Sequence, residues 1–209
     1  AKHYTRANAI DPGRRELTLL AEQIAILERE LRVSAALEKA DQAIRRDDWQ
    51  TALHAYLQAS KDAPRNQAIQ EGLTRAKKIT DLEKAFEILL DDPYQLSDPA
   101  AKTSAEKLLQ QARPMGPFSF SLQLKSRKLA EKTAIMQQPV WVTVTSDDKT
   151  YVRVIGVGNV GHVIEKNIQL KPGRYTFEGR RNGYVSKRVK ALIPYDKKAP
   201  RVDVICDQP

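Results

Sequence analysis

Apolar positions recur every three or four residues over the first two thirds of the chain and every second residue over the last third, a pattern that predicts helices followed by strands. The earliest run, Leu17, Leu20, Ile24, Leu27 and Leu31, has Glu22, Glu28, Arg29 and Arg32 beside it. It falls short of the three or four heptads that sustain a coiled coil, so the reading is an amphipathic helix packed on a neighbour. Ala36, Ala40 and Ala43 continue the spacing with small side chains that let helices approach closely, and Arg45-Arg46-Asp47-Asp48 reads as a polar turn. A second helix opens at Trp49, gathers Ala52, Leu53, Tyr56 and Ala59 on one face, and stops ahead of Pro64, which disfavours helix in the residue before it. Asn66 is placed to cap a third, in which Ile69, Leu73, Ala76, Ile79, Leu82, Phe86 and Leu89 keep the period as far as Asp91-Asp92-Pro93. Two more helical pieces follow near 98–112 and 120–136, punctuated by Pro99, Pro114, Pro117 and Pro139. Residues 118–124 alternate like a strand, but Leu122, Leu129 and Ile135 also fit a helix, which is the reading adopted.

The period turns to two at Pro139. Val140-Trp141-Val142-Thr143-Val144-Thr145 reads as a strand, Ser146-Asp147-Asp148-Lys149 as a turn, and residues 151–155 as the hairpin partner. Further strands are expected over 162–170, 173–180, 185–194 and 201–206, separated by Lys171-Pro172-Gly173, Arg181-Asn182-Gly183 and Asp196-Lys197-Lys198. Short strands with regular turns predict a small antiparallel sandwich or barrel. The expected class is therefore α+β, with a helical domain over 1–138 and a β domain over 139–209.

An internal repeat runs through the helical part: Tyr4, Ala7 and Pro12 have the spacing of Tyr56, Ala59 and Pro64, and Asp11-Pro12-Gly13-Arg14 parallels Ala63-Pro64-Arg65-Asn66. With Ala52, the second unit resembles the latter half of a tetratricopeptide repeat. Its first half departs from that pattern, with Ala36, Lys39, Ala40 and Ala43 where Trp, Leu, Gly and Tyr are usual, so helical hairpins of irregular length are expected. Trp49 and Tyr56 fall at packing positions and read as hairpin core.

In the last third, Leu170-Lys171-Pro172-Gly173-Arg174-Tyr175-Thr176 followed by Asn182-Gly183-Tyr184 resembles the PEGA-type β domains of bacterial envelope proteins. That resemblance covers about residues 139–207 and implies a non-catalytic module on the periplasmic side of a bacterial envelope. The motif's chemistry agrees, since Pro172 and Gly173 preset a turn and Gly183 permits a backbone conformation closed to other residues.

Charge adds a second kind of partner. The 209 residues carry a net charge of +9, and residues 139–209 hold 13 Lys and Arg against 7 Asp and Glu. The densest cluster supplies the candidate partner-binding residues Arg180, Arg181, Tyr184, Lys187 and Arg188, whose alternate members should point outward together because strand side chains have period two. The same pattern describes a solvated strand face that discourages edge pairing, and no recognised nucleic-acid module accompanies it, so nucleic acid is not the favoured partner.

Other motifs read as structure. Gly156-Val157-Gly158-Asn159-Val160-Gly161 fits a dinucleotide fingerprint by letter, but 162–168 is strand-like and reaches Pro172-Gly173 too soon for a crossover helix, so a glycine hairpin or bulge is expected and no cofactor. Cys206 is the only cysteine, and His3, His54 and His162 lack ligand spacing, so no metal is expected. The pairs Asp47-Asp48, Asp91-Asp92 and Asp147-Asp148 sit in turns, and no catalytic residue is assigned. No window approaches the roughly 18 consecutive apolar residues of a membrane span. The chain opens without Met in what reads as mid-repeat, which suggests a piece of a longer, membrane-anchored protein. The expected function is a non-catalytic protein-interaction scaffold of the envelope. Its rivals are a basic module for an anionic polymer (cell-wall glycan, lipid surface or nucleic acid) and a regulatory or sensor region of a larger enzyme.

Overall fold

The computed structural model describes Thr5, residues 15–196 and residues 199–209, so the repeat tail at Tyr4, Ala7 and Pro12 and the turn residues Lys197 and Lys198 lie outside the described residues. The class is α+β, and residues 15–209 as described hold five α-helices followed by two open sheets. The helices are α1 (Arg15–Arg45), α2 (Trp49–Asp62), α3 (Gln67–Asp91), α4 (Pro99–Ala112) and α5 (Phe120–Met136), with short 3-10 turns at Pro93–Ser97 and Arg113–Phe118. The chain forms two compact units, residues 1–84 with 115–122 and residues 85–114 with 123–209. Residues 85–114 and 123–138 thus group with the strands, whereas the change of period along the sequence lies at 139.

In the first unit the α1–α2 hairpin is closed by small buried residues, Ala40, Ala43, Ala52, Ala55 and Ala59, around the buried Trp49. The turn between them depends on Asp47, which adopts φ 57° and accepts a 2.7 Å hydrogen bond from the Trp49 indole while Asp48 caps α2 through Thr51. Asp47 also accepts from the Ser121 amide at the start of α5, where a carboxylate suits the unpaired N–H groups of a helix N-terminus. Asn66 caps α3 through the Ile69 amide as its sequence position predicts.

One helix expectation fails. Leu20, Leu27 and Leu31 are 44%, 58% and 69% exposed, and Leu19 and Ile26 are exposed beside them. The reason is length: α1 has 31 residues and α2 only 14, about 46 Å against about 21 Å at 1.5 Å per residue. The Arg32–Asp62 ion pair joins α1 to the last residue of α2 and marks where that cover ends. The first half of α1 therefore has no described neighbour along its apolar stripe.

The second unit contains β1 (Val140–Thr145), β2 (Tyr151–Val154), β3 (Gly158–His162), β4 (Glu165–Leu170), β5 (Gly173–Arg180), β6 (Lys187–Ile193) and β7 (Arg201–Asp203). They form a three-stranded sheet ordered β4-β1-β7 and a four-stranded sheet ordered β3-β2-β5-β6. Inward side chains of both, among them Val142, Val144, Val152, Val154, Leu170, Phe177, Ile193 and Val204, make a single apolar core.

Three connections differ from expectation. The 146–149 turn does not close a hairpin, because β1 pairs with β4 and β7 while β2 pairs with β3 and β5. Asp147 accepts from the Lys149 and Thr150 amides there and bends the chain from one sheet to the other. The strand expected over 162–170 is divided, since His162 is the last residue of β3 and residues 165–170 form β4. Pro172 likewise carries the chain between sheets rather than round a hairpin, and β7 runs parallel to β1, a departure from an all-antiparallel sandwich. Local alternation specifies strands but not their partners.

Residues 156–161 form the β2–β3 hairpin, with Gly156 at φ 76°, Gly161 at φ 100° and a register shift at Val152/Arg153. No helix opens at its third glycine, so the dinucleotide fingerprint's context is absent here. Within the β-sheet unit the chain packs tightly at Gly179, where an added Cβ would lie 2.7 Å from Thr150 Cγ2 and 3.0 Å from Val204 Cγ1. Gly179→Ala should therefore destabilise the protein by about 1–3 kcal/mol through overpacking, read as a lower denaturant midpoint. A midpoint unchanged or raised would show that the facing side chains yield.

Candidate functional site

Strand register decides the face of the four-stranded sheet that turns away from the core. Val152, Val154 and Phe177 point inward, so Arg153, Glu178 and Arg188, directly opposite one another on β2, β5 and β6, point outward in one row. Arg180 shares that face beside Tyr151, and Lys190 lies opposite Thr176.

Glu178 is only 1% exposed although its side chain is on the outer face. Three arginines cover it. Arg153 reaches Oε2 at 2.6 Å, Arg180 Nε donates to the same oxygen at 2.9 Å, and Arg188 donates through Nε and Nη2 to Oε1 at 3.1 Å. Burial pushes the carboxyl up, but the hydrogen bonds from Arg153, Arg188 and Arg180 outweigh it and hold the group below its ordinary value. One negative charge under three positive ones leaves the row cationic, and Arg180 and Arg188 remain 58% and 67% exposed.

The five sequence-derived residues divide among three places. Arg180 and Arg188 share Glu178. Arg181, in the β5–β6 loop, pairs with Asp147 at 3.1 Å and lies 4.0 Å over the Tyr184 ring, an arrangement that ties the loop to the 146–149 turn. Lys187 falls on the opposite side of β6, across from Gly179, and its amine is 3.7 Å from Asp207. They are therefore not one outward patch, because Lys187 and Arg188 are consecutive on a strand and must point apart.

Arg180 and Arg181 do meet other residues in a cleft of 560 Å3, lined also by Lys149, Tyr151, His162, Asn182 and Ser186. It lies where the 146–149 turn, the end of β3 and the β5–β6 loop converge. His162 stands edge-on to Tyr151 at 5.4 Å, and no carboxylate lines the cleft. Sequence reading missed Arg153, Lys149, Tyr151 and His162. The available signal was Glu178, an isolated acid among outward basic positions, but its partners required the register.

A second exposed surface is the stripe on α1. Numbered as heptads from Leu17, its core positions are Leu17, Leu20, Ile24, Leu27 and Leu31, and the flanking positions include Glu16, Gln23, Glu28 and Glu30. Among the described residues no cluster of three or more His, Cys, Asp or Glu is placed to hold a metal, and no helix is long and apolar enough to cross a membrane. No protein family, curated protein or solved structure matches this chain.

The Glu178 cluster gives a pH signature. A folded-state pKa below the unfolded one contributes stability that is fully present above the unfolded value of about 4.3 and is lost as pH falls through the folded one. Thermal melts should place the native protein above Glu178→Gln at pH values over about 5, with the gap closing below about pH 4. A gap independent of pH would mean that the carboxylate's charge is not what the arginines need.

Proposed function

We propose that this chain is a non-catalytic interaction region of a bacterial cell-envelope protein, acting on the periplasmic side, in which α1 engages an α-helical protein partner. The observation that carries the reading is the stripe from Leu17 to Leu31, in which Leu20, Leu27 and Leu31 are exposed among the described residues while Leu17 and Ile24 are half-buried. Large contiguous apolar surface is costly in water and marks contact sites, and a helical stripe with this spacing is what another amphipathic helix packs against. The envelope setting draws its support from the PEGA-like segments at 170–176 and 182–184.

The stripe's flanks select the partner. Glu16 and Glu30 beside the seam would face each other in an antiparallel second copy of α1, and a parallel copy would set Glu28 against Gln23 and Glu16 and Glu30 against alanines, with no opposite charge, whereas a helix with Lys or Arg in those positions pairs with all three. The partner is thus a different, basic-flanked amphipathic helix. A second reading, a basic surface for an anionic group, is favoured by the three arginines gathered on Glu178.

A photo-crosslinker at residue 27, introduced in the parent cell, should capture a specific protein, and Leu20→Ser with Leu31→Ser should abolish that adduct. Both leucines are exposed, so each substitution should change stability by no more than about 0.5 kcal/mol. Capture undiminished by the two substitutions, or a stable homodimer through α1 in sedimentation velocity, would count against this partner.

A further inference from the structure

We infer that the cleft formed by Lys149, Tyr151, His162, Arg180, Arg181 and Ser186 is a binding site for a phosphomonoester. The inference rests on the basic-surface reading and is independent of the α1 stripe. Its first support is convergence: three segments distant in sequence bring three cations, a histidine and three uncharged hydrogen-bonding side chains around one 560 Å3 space. Charge complementarity is the second. A lining of Lys149, Arg180 and Arg181 without a carboxylate suits a dianion, and a phosphomonoester carries close to two charges near neutral pH with three acceptor oxygens.

The third support is pre-organisation. Arg180 is held by its Nε on Glu178, which leaves its terminal nitrogens for another acceptor, and Arg181 is fixed between Asp147 and the Tyr184 ring. Two guanidiniums are thereby positioned before any ligand arrives, so little side-chain freedom remains to be lost on binding. Glu178 acts here as a positioning residue: shared among three arginines, it orients Arg180 without neutralising the surface. Tyr151, Asn182 and Ser186 supply neutral donors for the remaining oxygens, and Lys149 closes the side nearest the 146–149 turn.

Two carriers supply a phosphomonoester, a phosphorylated sugar and a lipid headgroup. Titration calorimetry of the full chain at low salt with glucose 6-phosphate, and flotation with phosphatidylcholine vesicles with and without phosphatidic acid, distinguish them. Saturable binding of glucose 6-phosphate without flotation assigns the sugar carrier. Flotation that requires phosphatidic acid and is competed by glucose 6-phosphate assigns the headgroup. In either case glucuronate, a monoanionic carboxylate, should bind about tenfold or more weakly, and Lys149→Gln with Arg180→Gln should weaken binding by about tenfold or more. Circular dichroism and a melt check that the double variant folds; if it does not, Lys149→Gln alone serves, since that side chain lies in the exposed turn. The proposal is overturned if neither probe binds, if glucuronate binds equally well, or if the folded variants bind like the native chain. Retention on heparin at low salt without phosphomonoester binding would sink the cleft assignment and leave the basic-surface reading standing.

Discussion

Glu178 sets the charge layout of the β domain's larger sheet. A carboxylate at the centre of a four-stranded sheet, covered from solvent, is tolerable only with several donors, because an unpaired buried charge is among the costliest features a fold can contain. Neighbouring strands supply them in register: Arg153 from β2, Arg188 from β6, and Arg180 two residues along β5 itself. Satisfying one anion with three cations makes the face basic and immobilises the guanidiniums. The cleft at the strand ends inherits both properties through Arg180. A structural requirement of the sheet and a surface able to hold an anion thus arise from the same residues.

The helical unit poses the converse question, an apolar surface without cover. Asp47 secures the hairpin by joining a left-handed turn, the Trp49 indole and the amide of Ser121, with burial opposing its ionisation and these hydrogen bonds outweighing that, so its carboxyl lies below its usual value. Small alanines let α1 and α2 approach closely beyond that turn. The hairpin is well made where the helices overlap. Past the Arg32–Asp62 pair α1 continues beyond α2, and among the described residues its leucines retain the spacing of a packed helix without one. The two halves of α1 therefore differ physically, one packed in the hairpin and one with its leucines exposed among the described residues.

The helices, their caps and most strand positions were legible in the sequence because they depend on local rules. Asn66 caps through a side chain that reaches an amide three residues on, proline ends helices by its own ring, and an apolar period of 3.6 or 2 is written in consecutive residues. Gly183 at φ 77° and the Gly156 to Gly161 hairpin belong to the same category, since backbone freedom is a property of the residue itself.

What tertiary structure alone decided was pairing. Alternation made residues 140–145 and 151–154 strands but could not say that they enter different sheets, because the two layers bury the same kind of apolar side chain. It placed Arg181, Lys187 and Arg188 near one another along the chain, yet their directions and counter-ions, Asp147, Asp207 and Glu178, follow from register and loop path. The leucine stripe predicted the helix correctly but not its packing, because the short α2 leaves Leu20, Leu27 and Leu31 exposed among the described residues. Sequence determined the elements because their physics spans a few residues; the charge clusters and exposed faces depend on contacts between residues tens of positions apart, which only the folded chain brings together.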